Sequence, residues 1–296
     1  MGSGICKDRF VGEHVIDKRC FECFENGFKR LLDKYSVEPE KRKEFSSFLA
    51  TALNKPKSSL TPEIQRELNK QFLRIIKIKD PFAEEKRLSN SIALTLYDEW
   101  KPKVLSAADP FDLALRLAIA GNIMDYGALS DFDIHSTIEK ALIKPFAIDH
   151  SRDLREKTEK ARSILYLGDN AGEIVFDRLF IETIGHKNVT FAVRSAPTLN
   201  DVTKDDAREI GIERVAKVIS SGYDAPSTIL HKSGEQFLRE FMSADLIISK
   251  GQGNLEGLIS RNDPRIFFLL MAKCDVVAEL LNVKKESFLV YNINGA

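Results

Sequence analysis

The chain of 296 residues is long enough for one large or two smaller domains around a sizeable core. Its 44 Lys+Arg and 44 Asp+Glu cancel, which argues against the basic excess of a general nucleic-acid binder and leaves room for a locally basic pocket. With 43% hydrophobic and 30% charged residues, no apolar run near the ~20 residues that span a bilayer, and no apolar stretch of a secretory signal at the N-terminus, the expectation is a soluble, cytoplasmic protein with no membrane partner.

In chain order, the first feature is Cys20-Phe21-Glu22-Cys23, a C-x-x-C without the second pair that a zinc ribbon needs. Cys6, His14, Cys20 and Cys23 make four zinc ligands on paper, but the favoured reading is two small apolar side chains at a helix start. Helical spacing follows in Phe28, Leu31, Leu32 and Tyr35, and again in Phe45, Phe48, Leu49 and Leu53. Thr61-Pro62 reads as an N-cap followed by proline, predicting a helix over 63–75. Asp80-Pro81-Phe82, Asp109-Pro110-Phe111 and Asp131-Phe132-Asp133 open three more. Residues 1–150 are therefore expected to form an all-α domain of five to seven helices.

Residues 146–162 read as a charged helical connector, and from about residue 160 the pattern changes. Short β-branched runs at 163–167, 189–193, 216–219, 245–249, 266–272 and 288–292 alternate with amphipathic segments at 173–184, 201–210, 235–242, 255–260 and 276–281. That alternation predicts a mostly parallel, doubly wound, Rossmann-like three-layer α/β domain over 151–296.

Four turns after predicted strands carry unusual polar residues: Gly168-Asp169-Asn170, Arg194 to Thr203 with Asn200-Asp201, Ser220 to Pro226 with Asp224, and Ser249-Lys250-Gly251-Gln252-Gly253-Asn254. In a parallel sheet these turns share the carboxyl edge, where ligands bind. Asp169, Asn170 and Asp201 offer hard oxygen donors for one divalent cation. Lys250 can neutralise a phosphate as a point charge, and Gly251 and Gly253 let the backbone approach its oxygens. Asn122 and Asp125 are three apart, hence on one helix face, and join Glu173 and Asp224 as candidates for gripping the rest of a substrate. Plain alternatives stand beside each: Asn200-Asp201 as an N-cap, Asp169 as a cap, Lys250 as a solvated strand-end lysine, and Asn122/Asp125 as a polar pair between helices. Gly251-x-Gly253-x-x-x-Gly257, with Asp275 after the next strand, is a loose dinucleotide fingerprint. No P-loop is present, and Ala171 replaces the second carboxylate of the Asp-x-Asp found in haloacid-dehalogenase phosphatases.

At these residues the chain resembles the metal-dependent damage-control phosphatase family, once catalogued as domain of unknown function 89. The ordered motifs are Gly168-Asp169-Asn170-Ala171-Gly172-Glu173, Asn200-Asp201-Val202-Thr203, Ser221-Gly222-Tyr223-Asp224-Ala225-Pro226, Lys250-Gly251-Gln252-Gly253-Asn254 and Gly121-Asn122-Ile123-Met124-Asp125. The Cys20/Cys23 pair is similar to the compact archaeal-type branch. The resemblance implies a helical domain on an α/β sheet, one divalent metal (cobalt, nickel, manganese or magnesium) at Asp169, Asn170 and Asp201, and a phosphate contact at Lys250. It implies hydrolysis of phosphate monoesters of small metabolites, sugar phosphates or damaged phosphometabolites. Two rival functions remain at this stage: a nucleotide- or S-adenosylmethionine-binding transferase using the Gly251–Gly257 turn, and a non-catalytic sugar-phosphate sensor.

Overall fold

The computed structural model describes residues 17–53, 60–121 and 134–295. Cys6, His14, Asn122 and Asp125 lie outside the described residues. Among the described residues, six helices precede the sheet proper: α1 (Lys18–Lys34), α2 (Pro39–Leu53), α3 (Thr61–Ile76), α4 (Ala83–Ser106), α5 (Pro110–Ala120) and α6 (Ile134–Ile143). β1 (Ile148–Asp149) and α7 (Ser151–Lys160) follow. Then come β2 (Ile164–Leu167), α8 (Glu173–Ile184), β3 (Val189–Val193), α9 (Lys204–Ile210), β4 (Lys217–Ser220), α10 (Glu235–Ser243), β5 (Leu246–Lys250), α11 (Gly251–Leu258), β6 (Ile266–Met271), α12 (Asp275–Leu281) and β7 (Phe288–Tyr291).

The strands form one seven-stranded sheet in the order β1-β7-β6-β5-β2-β3-β4. Every pairing is parallel except β6 with β7. This is the mostly parallel α/β fold expected from the alternation of short apolar runs and helices. Side chains alternate across each strand. Ile164, Tyr166, Phe191, Val193, Leu246 and Ile248 face one layer with α4, α5 and α8. Leu165, Leu167, Ala192, Ile247 and Phe268 face the other, with Phe237 and Phe241 of α10, Leu255 of α11 and Val277 of α12.

The expected helical unit ends at residue 150, but the packing groups the helices differently. α4 and α5 contribute Ala93, Leu96, Leu115 and Ala118 to the same core as the sheet. α1–α3 hold a separate core of Phe24, Phe28, Leu32, Phe45, Leu49, Leu68 and Phe72. Among the described residues, no helix is long and apolar enough to cross a membrane.

The chain runs from β2 through β3 to β4 on one side, then crosses back so that β5 pairs with the other edge of β2. The strand order therefore reverses between β2 and β5, the point where open α/β sheets bind ligands. Leu167 of β2 is in register with Ser249 of β5, so the turns that begin at Gly168 and Lys250 emerge side by side.

Candidate active site at the switch point

The turns after β2 and β3 are tied together through their backbones. Val202 donates its N–H to the Asp169 carbonyl (2.8 Å) and Ala171 donates to the Asn200 carbonyl (3.0 Å). Asn170 and Asp201 thus face each other in an isolated antiparallel bridge. Leu199, just before this bridge, has φ +48, a left-handed conformation that is unusual for a bulky side chain and turns the chain toward β2. Three residues read from sequence as a metal set are therefore brought together: Asp169, Asn170 and Asp201 are all buried at one spot.

Gly251 explains how the β5 turn joins them. Its φ is +76, and a Cβ built there would lie 1.9 Å from an Asp169 carboxylate oxygen. Only glycine lets the start of α11 approach that carboxylate so closely. The other two glycines of the loose fingerprint have a different use. A Cβ at Gly253 would meet the Pro226 carbonyl oxygen at 2.1 Å, and one at Gly257 would meet the Thr228 carbonyl oxygen at 2.3 Å. Both sit inside α11, which begins at Gly251 rather than Leu255, and serve helix packing against the 226–228 segment. Gly253 and Gly257 thus have a packing use of their own, which does not call for a dinucleotide.

Lys250 is not a solvated strand-end lysine. Leu246, Ile248 and Lys250 share one face of β5, so the lysine points beneath the edge toward α8 and is 0% exposed. Its three N–H donors go to Asp177 (2.5 Å), Glu173 (2.6 Å) and the Ala118 carbonyl (2.8 Å). Burial works against its charge, but the Asp177 and Glu173 carboxylates outweigh it and hold the ammonium protonated. In this arrangement Lys250 braces Glu173. Asp224 is likewise engaged, in ion pairs with Arg66 and, at 3.3 Å, with Lys70 of α3. It clasps a helix over this edge.

Glu173 stands at the first position of α8, fully buried, with Asn170 donating to it at 3.4 Å. The Asn170 amide also donates to Asp169 at 2.8 Å. Three residues without a role in the sequence analysis join the site: Arg194, Asn254 and Lys273. Arg194, 3% exposed, donates to Asp201 at 2.6 Å and to Asn254 at 3.1 Å, and stands 3.7 Å from Asp169. Asn254 is itself pinned, donating to the Lys250 carbonyl at 2.8 Å and accepting from Thr228 at 2.9 Å. Lys273, after β6, is close enough to stabilise the Asp169 carboxylate. Both cations immediately follow apolar strand runs at the same edge, and that position was the signal available in the sequence.

Charge is out of balance here. Four buried acids (Asp169, Glu173, Asp177, Asp201) stand against two buried bases (Arg194, Lys250). Burial first, then repulsion from Asp201 and Glu173, pushes the Asp169 carboxyl well above the usual carboxylate range, against the pull of Arg194 and Lys273. Among the described residues no three His, Cys, Asp or Glu side chains form a ready metal cage. The fit rests on two carboxylates and a carboxamide, hard oxygen donors that suit a divalent cation carrying the two missing charges.

Away from the edge, Cys20 and Cys23 lie on the first turns of α1 as free thiols. Burial, helped by the nearby Glu256 and Cys274, pushes the Cys20 thiol up to about 12.

An α/β sheet with an acid–amide cluster at its switch point has the architecture of ligand-binding α/β proteins, and the comparisons identify the family. The chain belongs to the damage-control phosphatase ARMT1-like domain family, which matches residues 16–289. It is 36% identical over 278 residues to a damage-control phosphatase from Pyrococcus horikoshii, covering 91% of this chain and 95% of that one. A damage-control phosphatase from Archaeoglobus fulgidus is 28% identical, over 88% and 86% of the two chains. The crystal structure of a DUF89 family protein from Pyrococcus horikoshii superposes with a TM-score of 0.87 at 32% identity, covering 94% of this chain and 99% of that chain.

Proposed function

We propose that this protein is a metal-dependent phosphatase that hydrolyses phosphate monoesters of small metabolites, sugar phosphates or damaged phosphometabolites. The observation that carries the proposal is the convergence of Asp169, Asn170 and Asp201 at the β2/β5 switch point, with two buried positive charges too few. The names of the two archaeal relatives support the phosphatase class.

Asp169, Asn170 and Asp201 would hold one divalent ion: cobalt, nickel, manganese or magnesium. Such an ion, when bound, polarises a phosphoryl oxygen and lowers the pKa of a bound water. Arg194 keeps Asp201 oriented, and in this reading Arg194 and Lys273 would supply positive charge to the phosphate at this edge. A cleft of about 380 Å3 beyond Arg194, lined by Ser195, Thr203, Lys204 and Ser220, is large enough for a sugar-sized body. The transferase reading loses its support because Gly253 and Gly257 are packed against 226–228.

The test is phosphate release from p-nitrophenyl phosphate and a sugar-phosphate panel after chelation and re-addition of single metals. Activity should vanish on chelation and return with at least one metal. Asp169→Ala should lower it by at least ~10²-fold while the fold persists. Metal-independent turnover, or full activity in that variant, would overturn the proposal. Ligand binding without turnover under any metal would favour the sensor.

A further inference from the structure

Behind the site lies a chain of buried polar groups whose length exceeds what a phosphate pocket needs. Tyr166 of β2 donates to Asp177 at 2.7 Å. Asp177 accepts from Lys250, Lys250 donates to Glu173, and Glu173 accepts from the Asn170 amide. Glu173 and Asp177 are four residues apart on α8, so they lie on one face and close on Lys250 from both sides. Every member except Asn170 is at most 1% exposed at its side chain or 0% overall, and Asn170 is 7% exposed.

Burying an ammonium and two carboxylates is costly, so the arrangement needs a use. Its outer end supplies one. A carboxamide can present either oxygen or nitrogen to a cation, and only the oxygen binds. The Asn170 nitrogen is committed to Asp169 and Glu173, which turns its carbonyl oxygen the other way. Glu173 can keep that hold only while Lys250 keeps Glu173 in place. Lys250 in turn is fixed by Asp177, and Tyr166 fixes Asp177. We propose that Asp177 and Tyr166 are positioning residues of the metal site. Acting through Lys250 and Glu173, they lock the Asn170 amide with its oxygen available to the ion. This inference rests on the metal-dependent reading above.

The experiment measures Mn2+ affinity by calorimetry and the visible spectrum of the Co2+-loaded protein, for the wild type, Asp177→Asn and Tyr166→Phe. Asp177→Asn should weaken Mn2+ binding by about 10-fold or more, the range seen when groups supporting a metal ligand are removed. Tyr166→Phe should weaken it by a smaller factor. The Co2+ spectrum at saturation should shift in both variants, a change that simple destabilisation does not produce. A folded Asp177→Asn with wild-type affinity and spectrum would overturn the inference. If Asp177→Asn does not fold, an unchanged Tyr166→Phe overturns it instead. A wild-type protein that binds neither metal sinks the proposed function itself, whereas metal binding that is indifferent to both substitutions sinks only this relay.

Discussion

At the residue scale, Gly251 is the position where backbone and chemistry collide most directly. A β-carbon there adds a left-handed penalty of roughly 1–2 kcal/mol and lands on the Asp169 carboxylate. Gly251→Ala should keep the sheet but displace Asp169, and misplacement by about 1 Å can cost ~10²-fold in rate. A circular-dichroism melt beside a steady-state assay checks this, and a wild-type rate would remove Asp169 from the chemistry. Glu256 of α11 supports a separate test. Burial pushes its carboxyl up to about 7, against the hydrogen bond from Gln252. The folded chain therefore keeps a proton that the unfolded chain releases near its ordinary value of about 4.3. Stability falls as pH rises from there to about 7, then stays at the lower level. Glu256→Gln should raise the melting temperature at pH 8, by about 1 kcal/mol of stability, and have little effect at pH 4.5. Equal effects at both pH values would show that Glu256 does not titrate this way.

At the element scale, α3 lies against the sheet edge, and one clasp is visible: Arg66 with Asp224, with Arg66 also stacked 4.4 Å over the Tyr223 ring. Burial raises the Asp224 carboxyl, but Arg66 and Lys70 outweigh it and leave it below the usual range. The clasp is then complete above about pH 4 and is lost as pH falls through the lowered value. A double-mutant cycle on Arg66 and Asp224 should give a coupling of about 1 kcal/mol at pH 7 that shrinks as pH falls below the ordinary carboxylate range. No coupling at pH 7 would reduce the clasp to a surface pair. Asp224 also shows what sequence reading reaches. Strands β2 to β7 were legible because their apolar runs end in turn residues, whereas β1, Ile148–Asp149, is too short to leave a pattern. The antiparallel sense of β7 leaves no mark in periodicity. α11 starts four residues early because packing against 226–228 overrides the weak helix propensity of two glycines. The convergence of Asp169, Asn170 and Asp201 was legible because all three lie in turns that follow strands. The fate of Lys250 was not, because it depends on which face of β5 it occupies. Alternation with Leu246 and Ile248 held that information unused.

At the scale of the molecule, the two-core arrangement sets how the roof over the site opens. α4 and α5 share the sheet's core, so they unfold with it. α1–α3 have an apolar core of their own and are tied to the rest by polar contacts at several points. Arg19 grips Glu279 through bonds of 2.6 and 2.8 Å, Lys34 pairs with Glu85, and Arg66 pairs with Asp224. Several of these side chains are well exposed, Arg19 at 42% and Glu279 at 57%, so salt screens them. The sheet's apolar contacts do not weaken in this way. Native-state hydrogen exchange in 1 M salt should therefore speed the α1–α3 amides by about fivefold, equivalent to about 1 kcal/mol, while β2, β3 and β5 keep their protection. The substrate would then reach Asp169 through partial release of this unit, because α3 carries the Arg66 half of the clasp. If α1–α3 instead exchange in step with the sheet at every salt concentration, the molecule is one cooperative unit and access must come from smaller movements at the edge.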